Sequence, residues 1–274
     1  MNSLIVWIVV FTALGGVLSV LGASVILLLS ERLLNRLLAP LVSFAIGALL
    51  GAAFLAILPH ALESPHVQGA HGITLTVLGG LLVFFLLEKM VIWRHCHIDE
   101  CEVHSAHVGH EHRSSAGANR LAHAQHRATG NLILFGDAIH NFVDGVLIAA
   151  AFLTDVHLGV VTSLAVIAHE IPQELGDFAI LLHSGFSRAK ALLYNVLASL
   201  TTVFGGVIAY FSLSLAQGLV PYVLAVAASS FIYIAVADLI PGLHKRPEPS
   251  ATAQQLTLIA LGVAVIYFTH ATLH

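Results

Sequence analysis

Long apolar runs of about 20 residues recur along the chain, separated by short polar connections. Each can cross a hydrocarbon core of about 30 Å as an α-helix rising about 1.5 Å per residue. Eight are read, at roughly 4–29, 40–62, 73–93, 131–153, 158–182, 190–213, 221–243 and 255–273. None alternates polar with apolar positions, as the strands of a membrane barrel would. The pattern predicts an all-α membrane protein of eight transmembrane helices: three in 1–93, two in 131–182 and three in 183–274, with one long polar loop over 94–130.

Two adjacent runs are interrupted by polar clusters. One reads His140-Asn141-Phe-Val-Asp144-Gly145, the other His169-Glu170-Ile-Pro172-Gln173-Glu174. Ionisable residues within a span are costly and normally face a protein interior or a wet path. Helical spacing puts His140 and Asp144 on one face, with Asn141 beside them; His169 pairs with Gln173 in the same way, and Glu170 with Glu174. Runs four and five are antiparallel neighbours centred near residues 142 and 170, so both clusters are expected halfway across, where alternating-access transporters bind substrate. Pro172 deprives the Ala168 carbonyl of its helical partner, which predicts a broken backbone there. Gly145 and Gly176 are expected to admit close helix approach.

Composition and charge add orientation. The chain is 58% hydrophobic and 9% charged, against roughly 25% charged in a soluble domain. All 11 basic residues fall in alternate connections or at the span ends beside them: Arg32 and Arg36; Lys89, Arg94, Arg113, Arg120 and Arg127; Arg188 and Lys190; Lys245 and Arg246. That side is expected to be cytoplasmic, with both termini outside. No basic residue precedes Arg32, so no conventional signal peptide is expected and span one should stay in place. The phosphate-cradling G-x-x-x-x-G-K-[ST] loop is missing, as is an Asp-Lys-Thr-Gly sequence, so nucleotide-driven pumping is excluded.

The loop from Arg94 to Gly130 holds eight of the 18 histidines and both cysteines. Its candidate ligands are His95, Cys96, His97, Cys101, His104, His107, His110 and His112, followed by His123 and His126. Such composition reads as metal-binding and disordered, with cytoplasmic thiols kept reduced. A solvated linker that collects metal incidentally fits equally well, and a loop outside the membrane cannot be the transport site.

Two neutral imidazoles with ionised Asp144 and Glu170 carry a charge of about −2, which suits a divalent cation. Mixed nitrogen and oxygen donors favour zinc, iron, manganese, cobalt or nickel over Cu(I) or magnesium. A second trail, Asp137, Asp177, His183, Asn195 and Asp238, falls in the cytoplasmic halves of the spans. Asp137, Asp177, Asn195 and Glu174 are candidates for a release pathway, Asp177 and Asn195 fitting helix-end capping equally well. His183 and Asp238 are read as helix-end residues that snorkel or cap, and His60 and Glu63 mark the outer end of span two. A faint repeat pairs Ala45 to Pro59 in span two with Ala227 to Pro241 in span seven, as an inverted 3+2+3 arrangement requires. Two other readings stay open. An intramembrane zinc hydrolase would use His169-Glu170-Ile-Pro172-Gln173, which lacks the second histidine of H-E-x-x-H; a non-transporting sensor would use the loop.

The pair His140-Asn141-Phe-Val-Asp144-Gly145 and His169-Glu170-Ile-Pro172-Gln173-Glu174-Leu-Gly176-Asp177 resembles the signature of the ZIP family of metal-ion transporters, nearest the branch reading His-Glu-x-Pro-His-Glu-x-Gly-Asp. The resemblance implies an eight-helix bundle with a binuclear centre in spans four and five, and uptake into the cytoplasm. It implies a primary site of His140, Asp144, His169 and Gln173, with a neighbouring one of Asn141, Asp144, Glu170 and Gln173 bridged by Asp144. Gln173 departs from the family's histidine or glutamate, and a carboxamide cannot bridge two ions. The expected cargo is Zn(II), then Fe(II), Mn(II), Co(II) or Cd(II), with no bound cofactor. The expected partners are the metal ions and the lipid bilayer, with a homodimer as a candidate and nucleic acid excluded. The expected setting is the cytoplasmic membrane of a prokaryote. Transport should fall as pH drops, because protonated imidazole cannot ligate; a rate measured flat between about pH 5 and about pH 7.5 would count against imidazole ligation.

Overall fold

A computed structural model of the chain describes residues 2–27, 31–98, 115–246 and 248–273. Among these residues there is no β-strand, and the long helices form eight rods. In order, α1 is Asn2–Leu27. The rod α2 runs through Glu31–Gly51, a π-helical turn at Ala52–Ile57, and Leu58–Glu63. Next come α3 (Ala70–Ile98), α4 (Ser115–Thr154), α5 (Val156–His183) and α6 (Arg188–Leu215). The rod α7 runs through Val220–Tyr233, a second π turn at Ile234–Leu239, and Ile240–Leu243; α8 is Pro249–Leu273. Seven rods are long and apolar enough to cross a bilayer. The eighth, α5, is 28 residues long and carries Glu170, Glu174 and Asp177 in its second half.

Helix replaces part of the stretch read as a loop. α3 carries His95, Cys96 and His97 on its last turns, and α4 begins at Ser115. The residues from Ser115 to Gly130 include repeated Ala and Arg with Leu121 and Gln125, all strong helix formers, joined without a break to an apolar run that propagates the helix. Cys101, His104, His107, His110 and His112 lie outside the described residues.

The two π turns have a local cause. Leu58 N–H reaches the Ala53 carbonyl, and Ile240 N–H reaches Ala235, each five residues back. The next residue in each case, Pro59 or Pro241, has no N–H to give. The wider turn takes up the missing bond. The register that pairs Ala45 with Ala227 superposes both turns and both prolines. Pro172 behaves differently: α5 runs uninterrupted through it, so the break expected there is not found. One lost hydrogen bond does not part a helix packed on α1, α2 and α4.

Packing is tightest between α4 and α6. A Cβ on Gly145 would stand 1.9 Å from the Thr202 carbonyl oxygen, and one on Gly205 would stand 2.1 Å from that of Phe142. Gly47 on α2 approaches Ile259 on α8 in the same way, and Gly80 on α3 approaches Ser229 on α7. Gly176 does not: a Cβ there meets nothing within 4 Å, so the close approach expected of it is absent. Its side of α5 is exposed, with no neighbouring helix to approach. Around these contacts lies an apolar core that includes Ile46, Leu49, Leu147, Phe152, Leu158 and Phe231, all buried.

Candidate metal centre

Both clusters meet where α4 crosses α5. His140 Nε2 lies 3.3 Å from His169 Nε2. His140 Nε2 is 3.6 Å from Asp144 Oδ2 and 3.6 Å from Glu170 Oε1. His169 Nε2 is 3.3 Å from Asp144 Oδ2 and 3.9 Å from Glu170 Oε1. A tetrahedral zinc ion with donors at about 2.0–2.1 Å holds those donors roughly 3.3–3.4 Å apart. The five observed spacings, 3.3–3.9 Å, are close to the edges of such a tetrahedron, slightly opened. Among the described residues it is the one group of three or more His, Cys, Asp or Glu donors within 4.8 Å of one another.

Electrostatics makes the same demand. Asp144, His169 and Glu170 are buried, and His140 keeps 23% of its side chain accessible. All four carboxylate oxygens of Asp144 and Glu170 lack a hydrogen-bond partner. Buried acceptors left unpaired are strongly unfavourable, and a divalent cation would engage one oxygen of each carboxylate while balancing both charges. His169 is already oriented for this. Its Nδ1 donates to the Ala165 carbonyl at 3.1 Å, which leaves the Nε2 lone pair facing the other donors.

Asn141 is buried beside the cluster but engaged elsewhere. Its amide nitrogen donates to Asp137 Oδ1 at 2.9 Å and to the Asp137 carbonyl at 3.2 Å, and its oxygen accepts from Thr202 Oγ1 at 2.8 Å. Thr201 on α6 binds the Ala138 carbonyl at 2.7 Å. These two threonines, which the sequence reading passed over, fix the rotation of α4; a hydroxyl pair in mid-span was the available signal. Gln173 lines a cavity of about 390 Å³ together with His140, Asp137, Asp177 and Asp238. Glu174 and Asn195 are buried further along in the same direction.

The cluster is reached through His140, which lines that cavity and another of about 440 Å³ with Glu88, Tyr233 and Asp238. Towards the other end it is closed by Phe231, whose ring centroid lies 6.0 Å from that of His169, and by the buried side chains of Leu147, Ile148 and Leu158. Beyond this plug a second cavity of about 390 Å³ is lined by His60, Glu63, His66, Thr154 and Gln217 among others, with no lysine or arginine.

Relatives agree with this chemistry. The chain is 34% identical over 249 residues to the zinc transporter ZIP4 of Mus musculus, covering 73% of this chain and 37% of that protein. It is 34% identical over 277 residues to the human zinc transporter ZIP5, covering 84% and 51%, and 31% identical over 261 residues to human ZIP13, covering 82% and 69%. The chain thus spans little more than a third of ZIP4 and about half of ZIP5. A helical membrane protein whose residues 3–270 match the model of the ZIP zinc transporter family, the chain belongs to that family.

Proposed function

We propose that the chain is a secondary transporter that carries divalent transition-metal ions, zinc foremost, into the cytoplasm through a site between α4 and α5. The observation that carries this reading is the four-donor cluster of His140, Asp144, His169 and Glu170, whose buried carboxylate oxygens have no other partner. A cavity on one side and an apolar plug on the other support an ion path opened at one end at a time. Gln173, on the cavity wall, meets the ion as it leaves, together with Asp137 and Asp177, while Glu174 and Asn195 line the same route. The same donors accommodate Fe(II), Mn(II), Co(II) or Cd(II).

The motion belongs to an inverted repeat in which α1 to α3 mirror α6 to α8 about the central pair. Its support is the matched π turns and matched contacts: Gly47 of α2 against α8, and Ser229 of α7 against Gly80 of α3. Rocking of one set against the other would part the plug and close the cavity. The basic connections support a cytoplasmic cavity end. The setting proposed is a prokaryotic cytoplasmic membrane, although the relatives described above are animal proteins. A hydrolase is less well supported, because a catalytic zinc keeps an open position for water and here four protein donors converge.

Zinc entry into sealed proteoliposomes, with no organic substrate present, tests the proposal. Wild type should admit zinc, and deletion of residues 98–126 should leave at least about half the rate, since the loop contributes no donor to the cluster. Zinc bound but not carried would instead favour the sensor or the hydrolase.

A further inference from the structure

We propose that Asp137, Glu174 and Asn195 form a second ion site, built from oxygen donors alone, one helical turn from the four-donor cluster towards the cavity. The idea rests on the transport reading only for the direction of travel; the site itself rests on the side chains.

Glu174 is fully buried, and neither of its carboxylate oxygens has a hydrogen-bond partner. Asp137 is 5% exposed; Asn141 holds its Oδ1, and its Oδ2 has no partner. Asn195 is 2% exposed and directs its amide nitrogen to the Glu174 carbonyl at 3.5 Å, which leaves its Oδ1 unpaired. Four orphan oxygens are thus carried by interacting side chains on α4, α5 and α6, and among the described residues no Lys, Arg or His forms an ion pair with either carboxylate. Natural interiors rarely leave such atoms unmatched without an unseen water or ion.

Their position follows from helix geometry. Asp137 precedes Asn141 by one turn on α4, and Glu174 follows Glu170 by one turn on antiparallel α5, so both steps lead the same way. Asp137 and Glu174 are near enough to interact electrostatically. The donor set differs from the first site in having no imidazole. Carboxylate and carbonyl oxygens favour harder ions such as Mn(II) and hold zinc less firmly than mixed imidazole and carboxylate donors do. An ion leaving His140 and His169 would therefore pass to a weaker site next to the exit. Asn141, bonded to both Asp137 and Thr202, ties the two sites together.

The test uses the purified full-length chain. One equivalent of zinc is added to fill the imidazole site, and Mn(II) is then titrated with the free ion followed by electron paramagnetic resonance. Wild type should bind one Mn(II) per chain, and Glu174→Gln, which keeps the shape and removes the charge, should weaken that step by at least about 10-fold. Asp137→Asn should do the same. In both variants zinc should keep its imidazole signature in X-ray absorption, which shows that the first site is intact and the chain folded. Unchanged Mn(II) binding in Glu174→Gln, or no Mn(II) bound by zinc-loaded wild type, would overturn the proposal. A wild type that carries no zinc yet loses its Mn(II) site with Glu174→Gln would sink the transport reading and leave this one standing.

Discussion

Replacing His140 and His169 together by alanine is expected to abolish saturable zinc uptake, lowering the rate by on the order of 100-fold or more. Loss of an outer residue that merely orients a ligand costs 10–100-fold in metal affinity, and here two of four direct donors go. The remaining Asp144 and Glu170 would be two buried carboxylates with no imidazole between them, since each lies within 3.9 Å of His169 Nε2. Two carboxylates without a nitrogen donor hold zinc less firmly than the mixed set does. The two single substitutions should differ. His140 is partly open to the cavity, so water can replace its donor. His169 is buried, held by Ala165 and packed on Phe231, and its loss leaves a hole at the centre of the group. Uptake should therefore rank wild type, His140→Ala, His169→Ala, then the double variant. Initial rates in proteoliposomes over a range of free zinc check the order; a double variant within about 3-fold of wild type would remove the cluster from the transport path.

Much of this arrangement was legible in the sequence for a simple reason: apolar runs longer than a bilayer is thick leave little choice of structure, and a polar cluster inside one must find partners. The pairing of His140 with Asp144 follows from helical spacing, and the meeting of the two clusters from matched depth; His169, which spacing pairs with Gln173, also lies 3.9 Å from Glu170 Oε1. Other features depended on what each residue faces, which spacing alone does not tell. Gly145 and Gly176 look alike in the sequence, yet one lies against a helix backbone and the other against open space. Thr202 looks like an ordinary hydroxyl that bonds its own helix, and it instead anchors Asn141. Glu170 and Glu174 share a helix face, but only Glu170 reaches the imidazoles. Pro172 leaves its helix intact while Pro59 and Pro241 each follow a π turn, and nothing in the immediate sequence of the three prolines separates the outcomes. The helical start of α4 was hidden by its histidines, whose composition suggested disorder although the alanines between them favour helix.

Gly145→Ala is expected to be among the most damaging single changes in the chain, although it adds only one methyl group. Its Cβ would lie 1.9 Å from the Thr202 carbonyl oxygen, 2.8 Å from the Thr202 carbonyl carbon and 2.8 Å from the Gly206 backbone nitrogen. No side chain can turn aside to relieve such an overlap, so α4 and α6 must move apart by more than an ångström. Overpacking a core costs about 1–3 kcal/mol even where side chains can yield, and a backbone collision in a membrane bundle held by close approach should exceed that range. The displacement also reaches the site. Thr201 and Thr202 would lose the Ala138 carbonyl and Asn141, and Asp144, next in the chain to Gly145, would swing away from His169. The variant should therefore lose thermal stability in detergent and at least about 10-fold in zinc affinity together, because one shift of α4 causes both. Gly176→Ala is the matched control: it lies on the other signature helix, its Cβ meets nothing, and alanine favours helix over glycine by about 1 kcal/mol, so it should melt no lower than wild type. Melting curves and zinc competition on both variants decide the matter. If Gly145→Ala melts like wild type and binds zinc as tightly, then α4 and α6 do not meet as described and the cluster is held by something else.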